Sequence, residues 1–408
     1  MEKVDVVVVG AGPSGSAAAY FLARRGVEVL LFDKSKLPRE KTCGDGLGPR
    51  GIEVLDKMGL EGWLIQNGSY RCDRVRLFLN NGDYFEAGIP SEDTLRPCSY
   101  IMSRKDLDLK LAETARAAGA RVATETKAIE PVRVGGAVAG ILVEDEDGER
   151  QIGCRVIVCA DGTLGTFAAK TGIDCVKPHA FAVRAYYDGV KNLDDCINIF
   201  IEDKIREGYA WIFPTGEQSA NIGIGLSTRV MKEGKIDARR LLGWFMSEKK
   251  TYPIDLSDAV ATTDVKGAYL RMGYGRHDVV ADGLVLTGDA AGLISPMSGE
   301  GIAYALESGE IAADVIKEAL DKGDVSAGGL APYKKALDKA FLIDHRIYEF
   351  LRESLARPSL MNRVVVKARL NPDFAGKFVS VMMGTARPLD VFTPKMLWRL
   401  FGPDIKRG

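Results

Sequence analysis

The 408 residues carry 55 Lys and Arg against 56 Asp and Glu, with 46% hydrophobic and 27% charged residues. This is a globular balance, which excludes a mostly disordered chain, and it lacks the basic excess that binding to a phosphate backbone demands, so no nucleic-acid partner is expected. The length exceeds the ~250–300 residues over which a single core grows, so two or three packed subdomains are expected.

Residues 4–9 form a short apolar run that reads as a buried parallel strand. Gly10-Ala-Gly-Pro-Ser-Gly15 follows, then a helix over 16–25 closed by Gly26, then a strand over 27–32 ending at Asp33. This is a complete βαβ unit. Residues 34–51 form a Gly-rich loop, a candidate functional segment beside a nucleotide site. Residues 75–86 alternate and predict one strand of an antiparallel sheet. Arg104 opens a helix to about Ala118, and Arg121 to Ile129 returns to strand. Residues 132–145 and 149–159 predict a hairpin turning at Asp147-Gly148. From about 176 to 270 the pattern is strand-like, clearest at 180–187, 197–202, 210–213 and 220–226. A buried strand at 284–287 leads to Gly288-Asp289, and Gly299-Glu-Gly301 opens a long helix from Ile302. The tail over 341–408 is helical in pattern, with twelve Lys and Arg against six Asp and Glu, net +6.

Seven cysteines at irregular spacing, without a CxxC pair, and three scattered histidines give no metal-ligand set, so no metal is expected. The first strand begins at once, which favours a cytoplasmic, reducing setting. No run of ~18 apolar residues is present, so no membrane-spanning helix is expected.

Gly10-x-Gly12-x-x-Gly15, with Pro13 and Ser14 inside the loop and Asp33 after the second strand, is a dinucleotide fingerprint in its full context. The glycines allow a tight turn, approach of a pyrophosphate and helix–strand packing, and Asp33 is placed to accept ribose hydroxyls. Gly288-Asp289 with Gly299–Ile302 reads as a second anion cradle. Only one fingerprint is present, so a separate nicotinamide domain is not expected.

The second cradle resembles the segment with which flavoproteins hold the ribityl chain and pyrophosphate of FAD. Val156-Ile-Val-Cys-Ala-Asp161-Gly162 resembles the Asp-Gly motif of hydroxylase-type flavoproteins, and Arg104 resembles their FAD-contacting arginine. Two segments narrow the resemblance to the geranylgeranyl reductase family. Cys43-Gly44-Asp45-Gly46 is similar to its Cys-Gly-x-Gly loop. Tyr209-Ala-Trp211-Ile-Phe213-Pro214, with Gly223-Ile-Gly225 eight residues on, is similar to its prenyl-pocket signature.

The resemblance implies an α/β fold. A Rossmann-like FAD-binding domain of the hydroxylase type (1–175 and 271–335) accompanies an antiparallel-sheet substrate domain (176–270) and a C-terminal helical region (336–408). Residues 52–103 are an excursion into the substrate domain. It implies FAD contacts at Gly10, Gly12, Gly15, Asp33, Lys34, Cys43, Gly44, Gly46, Arg104, Ala128, Asp289, Gly301 and Ile302. It also implies a substrate wall of Tyr209, Trp211, Phe213, Pro214, Gly223 and Gly225. The implied activity is saturation of isolated C=C bonds in geranylgeranyl chains by FAD. Partners would be a prenylated lipid or prenyl diphosphate substrate, a transient donor (NAD(P)H, ferredoxin or another low-potential reductant), and the membrane surface. Cys43 either relays the proton or only shapes the flavin face, and Lys41 is placed to bias its thiol toward thiolate. The competing readings are a flavin monooxygenase or halogenase, and an FAD-binding protein without turnover.

Overall fold

The structure is a computed structural model that describes residues 2–91, 95–248 and 251–393. In chain order its main elements are β1 (Val6–Val9), α1 (Pro13–Arg24), β2 (Val29–Phe32), α2 (Pro49–Lys57), β3 (Arg74–Leu79), β4 (Tyr84–Gly88) and α3 (Arg104–Ala117). Next come β5 (Arg121–Ala123), β6 (Lys127–Val134), β7 (Ala137–Asp145), β8 (Gly148–Gly153) and β9 (Val156–Cys159). The middle of the chain gives β10 (Ala180–Asp188), β11 (Cys196–Ile201), β12 (Gly208–Pro214), β13 (Ser219–Ser227), α4 (Ala238–Glu248) and β14 (Lys266–Leu270). The last are β15 (Leu284–Leu286), α5 (Ile302–Lys322), α6 (Ile343–Leu355), α7 (Pro358–Leu370) and α8 (Pro372–Met382).

One sheet runs Val280–Ala281, β15, β9, β1, β2, β5, and all but the first pair are parallel. Its central strands β15, β9, β1 and β2 are continuous apolar runs because both faces are covered. Helices α1, α3 and α5 lie on one side, and the four-stranded sheet of Glu2–Lys3, β8, β7 and β6 lies on the other. Residues 6–9 and 284–286 are thus parallel strands of one sheet with β9 between them, which brings both glycine turns to the same carboxyl edge.

Three strand readings change. The 75–86 segment is two strands, because Asn80-Asn-Gly-Asp83 turns the chain with Gly82 at φ +87°. The 121–129 segment breaks at Glu125 (φ +57°), so β5 and β6 enter different sheets. The hairpin at Asp147-Gly148 joins β7 to β8 alone, and 156–159 leaves it to pair between β1 and β15.

The large sheet runs Val260–Ala261, β10, β13, β12, β11, β3, β4, with β14 also on β10. Strands from 74–88 therefore extend the sheet built by residues 180–270. Its register carries one row from polar to apolar across the face: Lys266, Arg184, Gly223, Trp211, Ile199, Leu77, Phe85. The other face packs Ile212, Ile222, Phe200 and Ala185 against Phe245 of α4. Helices α6–α8 close the apolar end, where the Phe378 and Phe85 ring centroids lie 6.0 Å apart. The segment 394–408, the end of the basic tail expected at the membrane surface, lies outside the described residues.

Candidate active site

A cavity of about 890 Å³ joins the carboxyl edge of the parallel sheet to the row-bearing face of the large sheet. Its first lobe is the glycine turn. Gly10 sits at φ +105°, and a Cβ there would lie 2.5 Å from the Ala160 carbonyl oxygen. At Gly12 a Cβ has room, 3.8 Å from Arg104 Nη2. What a side chain there would fill is cavity, the space a pyrophosphate needs beside the α1 N-terminus. A Cβ on Gly15 would collide with Gly10 O, so Gly15 packs the helix and does not line the cavity.

Asp33, buried at the end of β2, accepts the Ala11 N–H at 3.1 Å and the Ser35 N–H at 2.9 Å. It also pairs with Arg39 at 3.0 Å. Arg39 reaches on to Asp108 at 2.8 Å, and Asp108, fully buried, holds Arg104 at 2.7 Å. Arg104 and Asp108 are an i,i+4 pair that the sequence places on one helix, but no spacing announces the link from Asp33 through Arg39 to Asp108, and Arg39 went unread. Lys34 and Ala128 line the same lobe, as do Pro13, Ser14 and Gly162. Asp161 lines it too, yet its Oδ2 accepts the Phe167 and Ala168 N–H groups, both at 3.0 Å. Its carboxylate therefore fixes the following turn rather than pointing at a ligand. Asp289 accepts the Thr163 hydroxyl at 3.2 Å, and Gly301 and Ile302 begin α5 at the cavity wall.

The centre of the cavity is aromatic. Tyr209, Trp211 and Phe213 line it from one face of β12, with successive ring centroids 6.1 and 6.0 Å apart. The Cys43–Gly46 loop lies against them: a Cβ on Gly44 would be 3.2 Å from Phe213. Asn221, fully buried on β13, ties loop to sheet. Its Oδ1 accepts the Trp211 indole N–H at 3.0 Å, and its Nδ2 donates to Cys43 O at 2.9 Å and to Asp45 Oδ2 at 2.7 Å. The Tyr186 hydroxyl also donates to Asp45. Of the remaining signature residues, Gly225 lines the cavity, while Pro214 and Gly223 do not. A Cβ on Gly223 would lie 2.7 Å from Trp211 Cη2, so this glycine makes room for the indole.

Burial pushes the Cys43 thiol above its ordinary pKa, against the opposing pull of Arg104. Arg104, rather than Lys41, is the cation that faces Cys43, and burial prevails, so the group is a thiol. Burial also raises the Asp45 carboxyl, with Tyr186 and Asn221 pulling it back.

Beyond the aromatics the cavity is aliphatic, lined by Leu77, Leu79, Ile199, Ile201, Met361 and Phe378. Glu86, Asp194 and Cys196 form the one metal-like group among the described residues, and Arg76 takes both carboxylates, at 2.5 and 2.7 Å. No described helix is long and apolar enough to cross a membrane.

A glycine cradle with a buried acid at one end and an aromatic-to-aliphatic channel at the other defines an FAD-dependent oxidoreductase. A family model described as FAD binding domain matches residues 3–229. The chain is 32% identical over 322 residues to a menaquinone reductase of Mycobacterium tuberculosis, covering 77% of each. It is 30% identical to the digeranylgeranylglycerophospholipid reductase of Methanothrix thermoacetophila over 98% of each chain. A geranylgeranyl bacteriochlorophyll reductase-like structure from Thermoplasma acidophilum superposes with TM-score 0.81 at 26% identity, covering 90% of this chain and 91% of that one. The chain belongs to the geranylgeranyl reductase family, and FAD is its cofactor.

Proposed function

We propose that the enzyme saturates isolated C=C bonds of geranylgeranyl chains, in precursors of archaeal-type ether phospholipids. The observation that carries this is a single cavity running from the FAD cradle past three aromatic rings into an aliphatic lobe. The relatives' names support the class, since menaquinone and digeranylgeranylglycerophospholipid share a polyprenyl chain. Burial of such a chain gains ~0.8 kcal/mol per CH₂, which suits the lobe of Leu77, Ile199, Met361 and Phe378.

In this reading residues 1–175 and 271–335 hold FAD, residues 176–270 with the 52–103 excursion hold substrate, and the described residues of the 336–408 region cap the lipid end. Gly10, Gly12, Pro13, Ser14 and the α1 N-terminus would take the pyrophosphate, and Asp33 the ribose. Lys34, Cys43, Gly44, Gly46, Arg104, Ala128, Gly162, Asp289, Gly301 and Ile302 would enclose the remainder. Bound and reduced, FAD supplies a hydride. The chain's part is to align the alkene between Trp211 and the Cys43 loop, exclude water and provide a proton. Cys43 either relays that proton or shapes the wall. Cys43→Ala with normal FAD reduction and saturation slowed ~10²-fold supports the relay, and saturation at the wild-type rate assigns the thiol to the wall.

With one dinucleotide fingerprint in the chain, the donor docks transiently: NAD(P)H, ferredoxin or another low-potential reductant. A cytoplasmic protein resting peripherally on the membrane suits a tail of net +6. Liposome sedimentation of the full chain and of one cut near 385 tests this, and equal partitioning discards it.

The deciding experiment is mass spectrometry of prenyl lipids after incubation with dithionite-reduced protein. A gain of one H₂ per double bond is expected. The second reading, a monooxygenase or halogenase, rests on a Trp-x-Trp-x-Ile-Pro segment that halogenases carry where this chain has Tyr209 and Phe213 at the outer positions. Oxygen uptake with halide-dependent product, and no lipid reduction, would establish it instead.

A further inference from the structure

The proton has a second candidate source. Glu300 stands in the turn that leads into α5 and lines the large cavity. It also lines a second cavity of about 10 Å³, walled by Arg50, Ser295, Ser298, Tyr304 and Tyr348. That space suits roughly one water molecule and offers it several polar partners. The two cavities share Gly48, Ser298, Glu300, Met382 and Met383 as walls, so Glu300 stands between them.

Its Oε1 accepts the Ala303 N–H at 2.7 Å, which caps the first turn of α5. Five charged or titratable groups face it. Arg50 comes from α2, Tyr304 and Glu307 from α5, Tyr348 from α6 and Tyr209 from β12. Arg50 is paired with Glu307 at 2.8 Å, so its charge is already answered. Among the described residues Glu300 itself has no salt bridge. Burial pushes its carboxyl up to about 7; the Ala303 and Ile302 N–H groups and Arg50 pull it down, and Glu307 pushes it further up. A carboxyl of that strength is half protonated at neutral pH, and a better acid than the half-buried Cys43 thiol, which is pushed up from its ordinary value.

We propose that Glu300 donates the proton that the alkene takes up, and is reloaded from the water-sized cavity behind it. This rests on the reductase reading. The carboxyl O–H bond breaks as the alkene π pair forms a C–H bond at the less substituted carbon. Bound and reduced, FAD would supply the hydride for the tertiary carbon and be left oxidised by two electrons, the lipid would gain one H₂ in all, and the Glu300 carboxylate would recover its proton from water.

Glu300→Gln separates this from a capping role, because the amide oxygen still accepts the Ala303 N–H. The expected result is unchanged FAD binding and dithionite reduction, with saturation slowed ~10²-fold or more. The wild-type rate should fall as pH rises past about 7, and the residual rate of the variant should not. A second readout needs no turnover. A carboxyl raised from 4.5 to about 7 in the fold loses the apoprotein stability as pH rises through that window. The melting temperature of wild type should therefore drop relative to Glu300→Gln between those values. Saturation by Glu300→Gln at the wild-type rate, or a pH-independent melting difference, overturns the proposal. Wild-type protein that reduces no prenyl lipid removes the reductase reading and this one with it, whereas wild-type reduction with an unaffected variant removes Glu300 alone.

Discussion

Replacing Asn221 by Leu keeps the side-chain size and removes three hydrogen bonds, two of which tie the Cys43 loop to the large sheet. Two partners are stranded, the Trp211 indole N–H and the Cys43 carbonyl, while Asp45 Oδ2 loses one of its two donors and keeps the Tyr186 hydroxyl. An unsatisfied buried polar group costs ~1–3 kcal/mol. The loss expected is therefore about 3–5 kcal/mol, a large share of the ~5–15 kcal/mol that keeps a typical domain folded. Trp211→Phe removes only the indole N–H and part of the ring, and about 2–3 kcal/mol is expected. The two residues meet at 3.0 Å, so their effects should not add. Urea unfolding of the four proteins in the cycle should give a coupling of about 1 kcal/mol or more. FAD affinity should fall with Asn221→Leu, because the loop it holds walls the cavity. Should Asn221→Leu not fold, Trp211→Phe with Asn221→Ser gives the same coupling. Additivity within ~0.3 kcal/mol, with unchanged FAD affinity, refutes the clamp.

Asp33→Ala should weaken FAD binding by ~1–3 kcal/mol, while FMN, which lacks the AMP half, binds wild type poorly; equal affinities for FAD and FMN contradict the assignment. Gly223→Ala should destabilise by about 1–3 kcal/mol, since its Cβ would lie 2.5 Å from Val183 O and press on the Trp211 ring; chemical denaturation measures it. Shortening the prenyl chain from C20 to C10 should cost several kcal/mol of binding at ~0.8 kcal/mol per CH₂, and chain-length-independent turnover contradicts the aliphatic lobe. His345, held at a pKa of about 3 by burial among Tyr274, Tyr304 and Tyr348 and by Arg50, stays neutral while the unfolded chain protonates near 6.5. Stability should fall as pH drops from 6.5 toward 3, by up to ~1.4 kcal/mol per unit, and His345→Phe should flatten that limb in pH-dependent melting.

The cofactor half was legible because its signals are local. A four-valine strand, a glycine turn, a helix and an acid lie between Val6 and Asp33, and each announces its own backbone geometry. The signature aromatics were legible because alternate residues of a strand share a face. What went unread is what separate strands bring together. Asn221 and Arg184 sit in alternating patterns where a polar residue reads as solvent-facing, yet both are buried beneath the cavity. Asp45 lies inside a motif, but its importance comes from Tyr186 and Asn221, more than 140 residues away. Glu300 reads as a spacer between two glycines, and only α2 and α6, packed behind it, make it a half-buried carboxyl between two cavities. The 75–86 misreading is of another kind: the Asn-Gly turn was present, and the apolar alternation on either side hid it.

The indole of Trp211 occupies the space that a side chain at position 223 would need, so the two signature segments behave as one residue divided between neighbouring strands. Drift at either position is then constrained by the other. A glycine replaced while the tryptophan stays meets a collision, and a tryptophan replaced while the glycine stays leaves a void. A lineage that changes the shape of this pocket has to change both together, and because a Cβ at 223 would also lie 2.5 Å from Val183 O, the spacing of β10 and β13 has to give as well.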